Sequence, residues 1–193
     1  MKQGSMSSSS RMIGSDWLFL AAGGLIAYGG RTLFDLGFAH DDWVLLRHMA
    51  GASSLMERMS ALVSGASSII FRPVEIPYFA LLYSAFGAAP LGWQCTALIL
   101  QVAVAGSFMA LLRRQGAGRT TSLAAAILLL AWPAKDATAF WPIASVCAAS
   151  AALALTALNL HWDFVRLGGA WRRTASSACL LAALSFYDQS VLL

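Results

Sequence analysis

Charge is scarce in this chain. Of its 193 residues, 13 are Lys or Arg and 9 are Asp or Glu, together 11%, whereas 59% are hydrophobic. A soluble domain carries about a quarter of its residues as charges, and the apolar runs here are too long for an ordinary soluble core, so the composition predicts a multi-pass membrane protein. A mean hydropathy of +0.67 agrees. Cysteine is rare as well: Cys95, Cys147 and Cys179 each sit inside an apolar run. An odd number without metal-ligand spacing excludes a complete disulfide framework and a zinc cluster, and reads as small packing residues. His40, His48 and His161 are too scattered in sequence to hold a metal together. There is no P-loop, no His-Glu-x-x-His, no Gly-x-Ser-x-Gly and no helix-opening Gly-x-Gly-x-x-Gly, which removes the enzyme classes that depend on those signatures.

What charge there is has a pattern. The net charge is +4, but the cations fall in short clusters between apolar runs, the arrangement of membrane-flanking charge rather than of a nucleic-acid binder. Five runs are candidate spans: Ile13 to Leu36, Leu91 to Leu112, Thr120 to Pro133, Pro142 to Leu160, and Ala175 to about Tyr187. A span needs about 20 apolar residues, so the third and fifth are short. A sixth run, Ile76 to Ala89, decides the topology. If it does not cross, Lys2, Arg11, Arg113, Arg114, Arg119, Arg166, Arg172 and Arg173 all fall on the inner side, whereas a crossing would move both arginine clusters outside. The run is therefore expected to lie on the outer surface as an amphipathic or partly re-entrant helix.

Tryptophan gives a separate check, because indole rings favour the headgroup level. Trp17, Trp162 and Trp171 fall near inner ends, and Trp43, Trp93, Trp132 and Trp141 near outer ones. Arg31, at a span centre, is expected to snorkel outward or pair with Asp35. Residues 1–12 then form a polar cytoplasmic N-terminus without a secretory cleavage site. Residues 13–193 form the membrane domain. The high Arg-to-Lys ratio and the Ala/Leu/Gly bias suggest the cytoplasmic membrane of a bacterium.

On this topology Asp41, Asp42, Glu57, Glu75, Asp136 and Asp188 face outward, and Asp16 and Asp163 lie near the inner surface. The outer loop, residues 37–90, is too long to be a mere connector and contains two helical patterns, roughly Asp42 to Met49 and Ser54 to Ser64. Ser54 and Glu57 have the spacing of a capping box. The Ala/Gly/Ser richness from Ser145 to Ala157 suits close helix packing.

Asp41-Asp42 after the first span, Phe71-Arg72-Pro73-Val74, the stretch from Tyr83 to Trp93, and the turn from Pro133 to Trp141 together resemble the N-terminal half of GT-C glycosyltransferases. These membrane enzymes use polyprenyl-phosphate sugars, and the likeness is to the protein O-mannosyltransferase-like branch. The resemblance implies that Asp41 or Asp42 is the catalytic base and that Asp136 is the second-loop acidic residue. The sequence departs from that branch in three places. Asp136 stands one place nearer the proline, no histidine precedes Pro133, and Tyr187-Asp188-Gln189 replaces a Lys-Glu pair.

The chemistry is reasonable in its own right, since a carboxylate that takes the proton of an acceptor hydroxyl raises its nucleophilicity. The second aspartate could orient the acceptor or a divalent cation, the one cofactor the residues suggest. The plainer alternative is that Asp41-Asp42 cap a helix starting at Trp43. Arg72 suits the donor phosphate, because a guanidinium is a rigid fork of donors that keeps its charge; the alternative is an interfacial arginine facing lipid headgroups. The expected partners are the bilayer, a polyprenyl-phosphate sugar and, because apolar Val191-Leu192-Leu193 follow directly on an outward polar cluster, further spans or a partner membrane subunit that completes the bundle. The competing class is a non-catalytic structural or assembly subunit.

Overall fold

The computed structural model describes residues 6–28, 37–38, 40–65, 72–131, 141 and 144–186. All regular structure among them is helical. In chain order the helices are α1 (Met6–Tyr28), α2 (His40–Ala50), α3 (Leu55–Gly65), α4 (Glu75–Phe86), α5 (Pro90–Arg114), α6 (Arg119–Ala131), α7 (Ser145–Leu167) and α8 (Ala170–Phe186). Two of them, α5 with 25 residues and α7 with 23, are long and apolar enough to cross a membrane. At 1.5 Å per residue they reach about 37 and 35 Å, beyond the ~30 Å of a hydrocarbon core. The 12 residues of α4, which make up most of the Ile76 to Ala89 run, reach about 18 Å. Helix α1 begins seven residues ahead of the apolar run and extends through the Ser-rich segment.

Local signals set several boundaries. Pro90 occupies the first position of α5, where its missing N–H has no intrahelical partner to lose. Ser54 caps α3 by accepting the Glu57 N–H at 3.2 Å. Glu57 reaches back one residue further than a capping box requires, and its Oε2 accepts both the N–H and the hydroxyl of Ser53, at 2.8 and 2.9 Å. These bonds hold the Glu57 carboxyl below its ordinary value of 4.5, the Ser53 N–H contributing most. One expectation fails here. Helix α2 starts at His40, so Asp41 and Asp42 lie in its first turn rather than capping a helix that begins at Trp43.

Helices α1, α5 and α6 close around Leu20, Ala105, Met109, Ala126 and Leu130. Helix α7 packs between α5 and α8, and it does so through small residues. Ala148 and Ala152 meet Val104 of α5, and the bare backbones approach closely enough for cross-helix hydrogen bonds. Ser150 Oγ donates to the Ala183 carbonyl at 2.7 Å, Ser176 Oγ to that of Ala157 at 2.9 Å, and Asn159 Nδ2 to that of Ser107 at 2.8 Å. In an apolar setting small side chains and such bonds replace the hydrophobic effect as the source of helix association. Cys95, Cys147 and Cys179 are each half-buried, as packing residues.

The short helices α2, α3 and α4 gather over one end of this bundle. Leu45, Leu46 and Met49 of α2, Leu62 of α3, and Ile76, Phe79 and Leu82 of α4 share one apolar cluster with Trp93, Val146 and Phe186. Trp93 is 1% exposed and stacks on Phe79 at 6.2 Å, with its Nε1–H donated to the Gly87 carbonyl. Its ring is part of that apolar cluster and is buried by protein. Trp17, Trp43 and Trp171 are exposed.

Candidate functional site

The bundle has two chemically different ends. At the covered end, Arg72-Pro73-Val74 forms a turn into α4, closed by the Glu75 N–H donating to the Arg72 carbonyl at 3.0 Å. Proline at the second position of such a turn presets its backbone angle. The Val74 N–H donates to the Ser185 carbonyl, which ties the turn to the end of α8. Pro77 falls in the first turn of α4, where no N–H is needed. Glu75, 2% exposed, sits at the helix start where the dipole favours an anion. Arg72 Nη1 lies 3.4 Å from Glu75 Oε1, with the arginine side chain 30% exposed. Farther along α4, Tyr78 shares a 2.8 Å hydrogen bond with Ser145 of α7 and meets Phe186 edge-on. Burial pushes the Tyr78 phenol up from its ordinary value. Arg58 of α3 donates to Ser84 Oγ at 2.6 Å and lies over the Tyr83 ring.

Of the acids predicted for a site here, Asp42 is 1% exposed within α2. The Asp41 side chain lies outside the described residues, and so do Asp136 and Asp188. Arg72 is engaged with Glu75, a partner that its i, i+3 spacing makes available but that the sequence reading passed over. Three metal-ligating side chains do not converge anywhere among the described residues.

The opposite end is built on ion pairs. Asp16 of α1 is completely buried and accepts from two arginines: Arg113 Nη2 on Oδ2 at 2.7 Å, and Arg119 Nη2 and Nε on Oδ1 at 2.7 and 3.0 Å. Ser122 Oγ accepts from Arg113 Nε, and Ser15 Oγ from Arg119. Next to it Arg114 grips Asp163 of α7 with two parallel bonds, both 2.9 Å, the fork-to-carboxylate geometry that makes arginine pairs strong. These contacts gather the middle of α1, the end of α5, the start of α6 and the end of α7, and so Asp16, Asp163, Arg113, Arg114 and Arg119, read as inner-side, share one end. The sequence carried the grouping but not the partners, which are 49 to 103 residues apart.

The fold and its two ends define an all-helical bundle with two helices of membrane-spanning length, an ion-paired end and an end covered by short helices. No protein-family model matches the chain, and no curated protein and no solved structure matches it either.

Proposed function

We propose that the chain is a multi-pass protein of about five spans, lying in the cytoplasmic membrane of a bacterium with its ion-paired end inward. Long apolar side chains turned away from the bundle support the membrane reading: Leu18, Ile26, Ile99, Leu128 and Leu181 are each at least 65% exposed. Exposed apolar surface on this scale suits hydrocarbon better than water. The shorter α6 and α8, with 13 and 17 residues, would complete their crossings with flanking residues or in thinned bilayer.

Within that frame we infer that the covered end serves a glycosyltransferase of the GT-C type, which moves a sugar from a polyprenyl phosphate to an acceptor. The observation that carries this reading is the placement of two almost fully buried carboxylates, Asp42 and Glu75, in the short helices over one bundle end, with Arg72 beside Glu75. In the reaction, Asp41 or Asp42 takes the acceptor's hydroxyl proton, and the oxygen bonds to the anomeric carbon. The bond from that carbon to phosphate oxygen breaks, and Arg72 faces the anionic polyprenyl phosphate that departs. Asp136 is the third acid of this proposed site.

The burial of Asp42 also favours a second reading, a non-catalytic subunit, since a carboxylate 1% exposed has little room for an acceptor. Donor turnover by the reconstituted full chain separates the two. The transferase reading expects release of polyprenyl phosphate from a lipid-linked sugar, and a loss of about a hundredfold or more in Asp41→Asn or Asp42→Asn, the scale of general-base catalysis. Turnover unchanged in both variants removes them as the base. No turnover, together with stoichiometric copurifying membrane proteins, supports the subunit.

A further inference from the structure

The turn between α7 and α8 carries features that neither the ion-paired bundle end nor the covered end uses. Gly168 and Gly169 both adopt positive φ, +68° and +96°, a conformation that residues with a Cβ rarely enter. The double-glycine reversal lets Arg172 fold back and donate to the Gly168 carbonyl at 2.8 Å, its guanidinium stacked 5.0 Å above the Trp171 ring. One helical turn earlier, Arg166 lies 5.2 Å above the Trp162 ring. Two arginine–tryptophan pairs thus flank one turn, with Trp171 62% and Leu167 69% exposed.

Charge does not balance here. The only carboxylate nearby in sequence, Asp163, is gripped by Arg114 and also feels the Arg172 charge. Arg166 and the exposed Arg173 add two further cations to the same turn.

We propose that the α7–α8 turn is a docking site for the anionic phosphate headgroup of a membrane phospholipid. Arg166, Arg172 and Arg173 supply the charge, and Trp171 and Leu167 sit against the acyl boundary. A lipid fits better than a free anion because the cations are interleaved with exposed apolar and indole surface, the combination found at the headgroup level. The proposal rests on the membrane reading of the bundle.

The test uses the full chain in neutral-detergent micelles doped with dioleoyl phosphatidylglycerol or dioleoyl phosphatidylcholine, with the thermal midpoint followed as lipid is added. Phosphatidylglycerol is expected to raise the midpoint saturably, with phosphatidylcholine and inorganic phosphate having little effect. Arg166→Gln, which removes the cation over the Trp162 ring, should raise the half-saturating concentration by about fivefold, the contribution of one cation near an anionic lipid surface. Arg172→Gln should do at least as much. If Arg172→Gln fails to fold for want of the Gly168 contact, Arg166→Gln and Arg173→Gln carry the test. Equal midpoints in the two lipids, or an unchanged response in Arg166→Gln and Arg173→Gln, overturn the proposal. A chain that is monodisperse without detergent and ignores both lipids overturns the membrane reading as well, so the two failures can be told apart.

Discussion

Asp16 and Arg113, 97 residues apart in the chain, meet at 2.7 Å with the carboxylate fully buried and the arginine side chain 26% exposed. Because Arg119 closes on the other oxygen of the same carboxylate, one anion fastens α1 to both α5 and α6. Asp16→Asn removes the charge that both guanidiniums face. The expected loss is about 2 kcal/mol of stability, the range for hydrogen bonds to charged groups, moderated because the arginines can reach water. Arg119→Ala should cost less, since its side chain is 49% exposed. Unfolding in detergent with Asp16→Asn as stable as the parent would remove the clamp as a determinant of the fold.

Gly106 of α5 lies under the Trp17 ring of α1. A Cβ added at buried Gly106 would run into the Trp17 ring. Overpacking of this kind costs about 1–3 kcal/mol, offset by up to about 1 kcal/mol from the better helix propensity of alanine. Gly106→Ala should therefore be net destabilising by about 1 kcal/mol, and Trp17→Leu in the same chain should recover the loss. Additive effects in the double variant would show that the two residues do not collide.

The Glu57 carboxyl gives α3 a pH dependence with a definite sign. Its folded value lies below 4.5 because Ser53 and Ser54 donate to it or beside it. The stabilisation is therefore present above pH 4.5 and is lost as pH falls through the folded value. The protection factors of the Ser53 and Glu57 amides, corrected for the pH dependence of intrinsic exchange, should fall on acidification below pH 4.5. Glu57→Gln should flatten that dependence, and an identical profile in the variant would disprove the assignment.

Single cysteines test sidedness. Gln115, exposed after the end of α5, belongs to the ion-paired end, and exposed Ala88 belongs to the covered end. In intact cells Ala88→Cys should react with an impermeant thiol reagent and Gln115→Cys should not, with Cys95, Cys147 and Cys179 replaced by Ala as background. Labelling at Gln115 would invert the proposed orientation.

Much of the secondary structure was legible because its causes are local. The short helices expected at roughly Asp42 to Met49 and Ser54 to Ser64 appear as His40–Ala50 and Leu55–Gly65. The Ser54 cap, the proline that opens α5 and the small residues of α7 likewise depend on neighbours a few positions away. The covered end was less legible. In the sequence Glu75 is one of six outward-facing carboxylates and Trp93 one of seven interfacial tryptophans; the packing of the short helices is what buries the Trp93 ring and leaves Glu75 beside Arg72.

The sequence by itself determined that this chain is helical, that its apolar runs are separated by clusters of like charge, and that acids and arginines sort into two groups. Periodicity, capping and hydropathy act within one or two turns, and so they can be read without a fold. Only the tertiary structure decided that Asp16 belongs to Arg113 and Arg119, that Asp163 belongs to Arg114, and that Asp42 and Glu75 are withdrawn from solvent. Those choices depend on which helices become neighbours and on how far each is rotated about its axis. Rotation by one residue, about 100°, carries a side chain from a buried seam to an exposed face.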